Sequence, residues 1–140
     1  MIRKIQDSDL EEVLNIWLEA SIIAHDFIEN SYWISRVSDM RDIYIPNSET
    51  YVYEDKNGIC GFFSLCENIL AAIFVKPNQQ GKGIGRKLLK KAKVLRNNLC
   101  LTVYKNNSKS VLFYKRAGFS FVKEQIDKNT GYPELVMQWP

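Results

Sequence analysis

The stretch from Ile69 to Arg96 constrains this chain more than any other. Ile69 to Val75 is an unbroken apolar run of strand length, and Pro77 ends it because proline cannot donate to a ladder. Gly81, Gly83 and Gly85 then take alternate positions in Gln80-Gly81-Lys82-Gly83-Ile84-Gly85-Arg86, so a row of backbone N–H groups has little side-chain cover. A basic amphipathic helix follows over Gly85–Arg96, with Leu88, Leu89, Ala92 and Leu95 as its apolar stripe. The unpaired N–H groups of its first turn and its positive dipole end face the same point as the glycine turn. Buried strand, glycine turn and helix N-terminus together make a cradle for a diphosphate.

Two common nucleotide cradles do not fit. A P-loop needs Gly, four residues, then Gly-Lys-Ser/Thr, and counting from Gly81 puts Arg86 at the second glycine. A dinucleotide fingerprint needs its third glycine where this chain has Arg86 or Leu88. Gln80-x-x-Gly83-x-Gly85 instead resembles the acetyl-CoA signature (Q/R-x-x-G-x-G/A) of the GCN5-related N-acetyltransferases. A second strand-like run, Leu99 to Val103, precedes Asn107-Ser108-Lys109-Ser110-Val111-Leu112-Phe113-Tyr114-Lys115-Arg116-Ala117-Gly118-Phe119. This segment resembles the family's N-x-x-A/S-x-x-F-Y-x-x-x-G-F motif, in the same order and at a typical distance from the first.

The remaining elements agree with that resemblance over most of the chain. Ile2–Ile5 reads as a strand, and Ser8 with Glu11 as a capping box opening a helix to about Ala20. Asn30–Ile45 reads as a second helix stopped by Pro46. Thr50–Glu54 and Ile59–Leu65 flank Asp55-Lys56-Asn57-Gly58, a hairpin turn. After the Ser108–Ala117 helix come strands Phe119–Ile126 and Glu134–Trp139 around Gly131-Tyr132-Pro133. The class is α/β (α+β mixed). The resemblance implies the GNAT fold, a central mixed, mostly antiparallel sheet of about seven strands splayed between strands 4 and 5 and flanked by four helices. A single domain over residues 1–140 is expected.

The resemblance also implies roles. The backbone of Ile73, Phe74 and Val75 pairs with the pantetheine arm of acetyl-CoA. Gln80, Gly81, Lys82, Gly83, Ile84, Gly85 and Arg86 hold its diphosphate, and Asn107 hydrogen-bonds the cofactor. Tyr114 is the general acid, since a phenol with a pKa of about 10 keeps its proton at neutral pH and can give it to the departing thiolate. His25, the one histidine, sits in Ala24-His25-Asp26-Phe27-Ile28 between the two N-terminal helices. It is the candidate base, or else a structural histidine beside Asp26. Glu67 competes as base, or is an exposed hairpin carboxylate. Tyr32 and Trp33 wall the acceptor cleft or belong to the core.

Composition narrows the alternatives. The net charge of +3 is concentrated in Lys82, Arg86, Lys87, Lys90, Lys91, Lys93 and Arg96, mostly a solvated helix face, with Lys82 and Arg86 at the cradle mouth. No RNA-binding aromatic motif accompanies it, so nucleic acid is not an expected partner except as charged tRNA, the acceptor of toxins in this family. No apolar run approaches the roughly 18–20 residues of a membrane span, and from the charged stretch Met1–Asp7 no signal peptide is expected. Cys60, Cys66 and Cys100 lie in strand-like runs without metal-type spacing. They are expected to be buried free thiols in the cytoplasm, and no metal is expected.

The expected activity is acetyl transfer from acetyl-CoA to a primary amine by direct attack in a ternary complex. The acceptor is a small molecule, a protein lysine or N-terminus, or aminoacyl-tRNA. A non-catalytic acyl-CoA sensor or a nucleic-acid-binding module is the alternative from another class. The chain is expected to be a monomer or a homodimer, with Phe119 and Phe121 either at a dimer seam or in the core.

Overall fold

A computed structural model describes residues 1–140. Seven strands form one sheet in the order β1 (Ile2–Lys4), β2 (Glu49–Asp55), β3 (Gly58–Cys66), β4 (Ile69–Val75), β5 (Leu99–Tyr104), β7 (Pro133–Trp139) and β6 (Ser120–Ile126). Every neighbouring pair is antiparallel except β4 and β5. Those two run parallel and share one paired position, Ile69 opposite Cys100. Beyond it they part, so the sheet opens as a wedge toward Val75 and Tyr104.

The wedge explains the burial of β4. The apolar run suggests a fully buried strand, yet only Leu70 is buried, and Ala72 to Val75 are half-exposed. Their free edge has no strand beside it. By contrast β3, paired on both sides and covered on both faces, is buried from Ile59 through Leu65. Its alternating side chains feed two cores. Phe63 and Leu65 join Leu88, Leu89, Ala92, Leu99, Leu101 and Met137 beneath α4 (Ile84–Leu95) and α5 (Ser108–Arg116). Phe62 points the other way, into Val13, Ile16, Trp17, Trp33 and Met40 under α1 (Leu10–Ala24) and α2 (Asn30–Ser35).

Three local expectations are corrected. The first helix starts after a 3-10 turn at Asp7–Asp9, and Asp9, not Glu11, supplies the cap, accepting the Gln6 N–H at 2.8 Å. Arg3 holds that carboxylate with bonds of 2.7 and 3.1 Å and draws its pKa below the ordinary value. The helix runs one turn beyond Ala20, to Ala24. The second helix is not continuous. After α2 come a short turn, α3 (Val37–Asp39), and a π turn, Met40–Tyr44, in which the Ile45 N–H reaches the Met40 carbonyl at 3.0 Å. That extra residue per turn brings Met40 and Ile45 to the same buried face. The thiols also differ from expectation. Cys60 is buried, Cys100 is half-buried, and Cys66 is exposed where β3 enters its turn. Phe119 is core, whereas Phe121 is 56% exposed on the outer strand β6.

Candidate functional site

The glycine turn lies at the C-terminal end of β4, on one side of the wedge mouth. Gly81 and Gly83 adopt φ of +79° and +84°, the left-handed region that disfavours side chains. A Cβ at either would meet nothing within 4 Å, so the turn faces open space. Lys87 makes the first amide bond back across the turn, to the Gly83 carbonyl at 3.1 Å. The N–H groups of residues 81 to 86 have no backbone acceptor. Such a row of unpaired donors at a helix N-terminus fits a diphosphate without a metal.

The signature glutamine has a structural task at this place. Gln80 Nε2 donates to the Val75 carbonyl at 3.1 Å, tying the turn to the end of β4. Gly85 starts α4 beside α5, and a Cβ there would rest in ordinary contact with the Phe113 ring at 3.5 Å. Lys82 reaches Gln79 Oε1 at 3.1 Å, and neither Lys82 nor Arg86 is in an ion pair. Their charge is free for an anion at the turn. Two other cations of the helix are engaged elsewhere. Lys93 donates to the Ala117 carbonyl and sits 5.0 Å from the Trp139 ring centroid, and Arg96 pairs with Glu49 at 3.1 Å.

Tyr114 lies on α5, in edge contact with Phe113 and Phe119 at 5.4 and 5.6 Å. Burial alone pushes its phenol pKa well up, so its proton stays in place far above neutral pH. Asn107 caps the same helix, its Oδ1 accepting the Ser110 N–H at 3.3 Å. The Asn107 amide then donates to His25 Nε2 at 3.4 Å. His25 Nδ1 faces the Ser21 carbonyl at 2.8 Å, so in the neutral ring Nδ1 carries the proton and Nε2 accepts.

His25 is thus 7% exposed, stacked on Trp33 at 4.9 Å, and engaged at both nitrogens. Burial lowers its pKa against the opposing pull of the Ser21 bond. The ring is therefore neutral at pH 7 and links the end of α1 to the cap of α5. Trp33 is itself buried, whereas Tyr32 is half-buried. Glu67 lies apart from this group. It occupies the β3–β4 turn at φ +54°, beside the closed end of the wedge, where its carbonyl accepts from Arg96 Nε at 2.7 Å. The length of β4 separates it from the open end by roughly 20 Å.

Sequence reasoning missed a second cluster at the open end, on the β5 side. Tyr104 ends β5 and donates its hydroxyl to Asp127, just past β6. Phe27 packs against Tyr104 at 5.8 Å and Tyr132 at 5.1 Å. Burial, then the Asp127 hydrogen bond, pushes the Tyr104 pKa strongly up. Burial, then the Asp127 charge, raises that of Tyr32. The residues come from four separate stretches of chain, so no local spacing announces them. The only sequence trace is Asp127 and Thr130, just before the turn read as Gly131-Tyr132-Pro133.

Residues 46–121 match the acetyltransferase (GNAT) domain family. Along its whole length the chain is 36% identical to the peptidyl-lysine N-acetyltransferase YiaC of Escherichia coli strain K12, spanning 97% of that protein. The peptidyl-lysine N-acetyltransferase YjaB of the same strain is 28% identical over 96% of this chain and 92% of its own. The solution structure of apo-form YjaB from E. coli superposes with a TM-score of 0.87, covering 99% of this chain and 96% of that one at 27% identity. A similar fold is seen in the PaiA N-acetyltransferase of Thermoplasma acidophilum in complex with coenzyme A, with a TM-score of 0.82 at 20% identity, over 99% of this chain and 96% of that one.

Proposed function

The chain belongs to the GNAT family of N-acetyltransferases, and from that premise we propose that it acetylates protein lysines by direct attack of the amine on acetyl-CoA in the β4–β5 wedge. Acetyl-CoA is the acyl donor, supplying an activated thioester whose carbonyl accepts the amine nitrogen. The observation that carries the reading is the row of N–H groups over residues 81–86 without a backbone acceptor, beside a strand edge left without a partner. The names of YiaC and YjaB support lysine over a small amine or charged tRNA as the acceptor.

Each residue then has a stated task. The N–H groups of Gly81 to Arg86, with Lys82 and Arg86, hold the diphosphate end. The free edge of Ile73, Phe74 and Val75 aligns the pantetheine arm and offers N–H groups to the developing oxyanion. As the new C–N bond forms and the C–S bond breaks, Tyr114 gives its phenolic proton to the thiolate, and the second proton that the nitrogen sheds on becoming an amide restores the phenol. The ammonium proton of the lysine passes to solvent, because His25 is engaged at both nitrogens and Glu67 is remote. His25 acts as a positioning residue: it fixes Asn107, which caps the helix carrying Tyr114. The free cysteines and the choice of acyl donor support action in the cytoplasm.

Metal-free calorimetry with acetyl-CoA, CoA and ATP, followed by thiol release with lysine peptides and mass spectrometry of the product, tests the reading. Binding of the two CoA compounds but not ATP, with one acetyl group on the lysine Nε, is expected. Thiol release with polyamines but with no lysine peptide would move the acceptor to a small molecule. Binding of ATP as tight as that of CoA would remove the cradle assignment.

A further inference from the structure

The wedge mouth has two walls of opposite character. On the β4 side stand the unpaired N–H groups of residues 81–86, with Lys82 and Arg86. On the β5 side stands Asp127, half-buried among aromatic rings. Its Oδ2 accepts from Tyr104 and from Thr130 Oγ1, the latter at 3.2 Å, and its Oδ1 accepts the Asn129 N–H at 3.0 Å. A carboxylate offers about four lone-pair positions, so one on Oδ1 is left over.

No Lys or Arg pairs with this carboxylate. Lys105 is occupied by Glu124 at 3.0 Å and Arg36 by Asp39 at 3.3 Å. The Tyr104 bond is not needed to close the loop. The loop is closed by its own backbone, through Asp127 N–H to the Tyr132 carbonyl at 2.9 Å and Gly131 N–H to the Asp127 carbonyl at 2.8 Å. An anion without a cation, set among half-buried ring faces, is complementary to an ammonium group.

Resting on the reading of the chain as a lysine acetyltransferase, we infer that Asp127, held by Tyr104 and Thr130 and flanked by Phe27, Tyr32 and Tyr132, receives the cationic amine of the acceptor at the wedge mouth. The two walls thereby sort the substrates by charge, with phosphates to the β4 side and ammonium to the β5 side. Asp127 favours the charged amine, which must still release one proton to solvent before its nitrogen attacks. Its benefit therefore falls on capture of the acceptor, since the same charge holds back the deprotonation that precedes attack.

The test uses the full chain and Asp127→Asn, which keeps an oxygen for the loop and removes the charge. The KM for a lysine peptide is expected to rise about tenfold, as for loss of a charge-assisted hydrogen bond, with the KM for acetyl-CoA unchanged and kcat not lowered. A second readout does not depend on turnover. In the presence of CoA, binding of a trimethyl-lysine peptide is compared with that of its norleucine counterpart by calorimetry. Wild type is expected to favour the cation and Asp127→Asn to lose that preference. An unchanged acceptor KM in the variant, or no cation preference in wild type, overturns the inference. So does a variant in which the thermal midpoint and both KM values worsen together, since that is a structural role. If wild type prefers the cation but acetylates no lysine peptide, the lysine-transferase reading falls and the cation site stands.

Discussion

Tyr114 and His25 show how burial assigns opposite behaviour to two titratable side chains. Desolvation disfavours the charged form of each, so the phenol holds its proton more tightly and the imidazole holds its proton less tightly. For Tyr114→Phe, turnover is expected to fall by about 100-fold or more, the usual worth of a positioned general acid, while calorimetry finds the same CoA affinity. Undiminished turnover would remove the assignment of the acid. For His25 the consequence lies in stability. Its folded pKa is below the unfolded value of about 6.5, so the unfolded chain binds more protons, and stability falls as pH drops from neutral through that value. Thermal midpoints measured between pH 7.5 and pH 5 should therefore decline more steeply in wild type than in His25→Asn. Equal slopes would show that the ring is not held neutral. The same engagement of His25 predicts that kcat/KM keeps rising with pH toward the amine's own pKa of about 10, instead of levelling near 6.5. Tyr114 and Asn107 could be proposed from the sequence because they sit inside one contiguous motif. Asp127 was not, because its partners Tyr104, Phe27 and Tyr32 are near it only in three dimensions.

Among the elements, the strand–turn–helix unit depends on two glycines for different reasons. Gly83 holds φ +84° in open space, so Gly83→Ala meets no clash but carries the left-handed penalty of about 1–2 kcal/mol. The turn relieves that strain by rotating its N–H groups out of convergence. CoA affinity is therefore expected to fall by about tenfold, the equivalent of 1.4 kcal/mol, with little movement of the thermal midpoint because the turn lies outside both cores. Gly61, in β3, is the converse. A Cβ there would lie 2.9 Å from the Phe74 carbonyl oxygen and 3.1 Å from Leu88 Cδ1, between strand and covering helix. Gly61→Ala is expected to destabilise by about 1–3 kcal/mol, as overpacking does, and to lower the midpoint before it alters binding. Calorimetry and thermal denaturation of both variants separate the two cases, and a Gly83→Ala that binds CoA normally would remove the need for glycine at that place. The bounds of these elements could be read closely from the sequence, since Pro77, the glycines and the apolar stripe mark them. The segment after Asn30 could not. Its apolar positions fit a regular helix nearly as well as the broken one, and the π turn that places Met40 and Ile45 together leaves no mark in composition.

For the molecule as a whole, the sheet is two blocks joined at a narrow seam. Strands β1 to β4 form one ladder and β5 to β7 the other, with Ile69 opposite Cys100 as their one paired position. The core beneath α4 and α5 bridges the blocks on one face, because Phe63 and Leu88 pack in the same cluster as Leu101 and Met137. On the other face, Tyr104 and Tyr132 lean against the core of α1 and α2. The seam's free edges, Ala72–Val75 and Leu101–Tyr104, are the backbone that a donor in the wedge would cover. The splay was expected from the resemblance, and no apolar period reports it, because an unpaired strand edge concerns backbone groups and not side chains. If acetyl-CoA lies in the wedge, it joins the blocks, and its binding should do more than order the glycine turn. At a concentration one hundred times its dissociation constant it adds about 2.7 kcal/mol to stability, a rise of several degrees in midpoint for a chain of this size. Hydrogen exchange should then slow over residues 72–75, 81–86 and 101–107 together, while β2, far across the sheet, keeps its rate. Protection confined to residues 81–86 would mean that the ligand rests on the helix end alone. In that case the wedge does not hold the arm, and the approach of the amine past Tyr104 and Asp127 would have no thioester to meet.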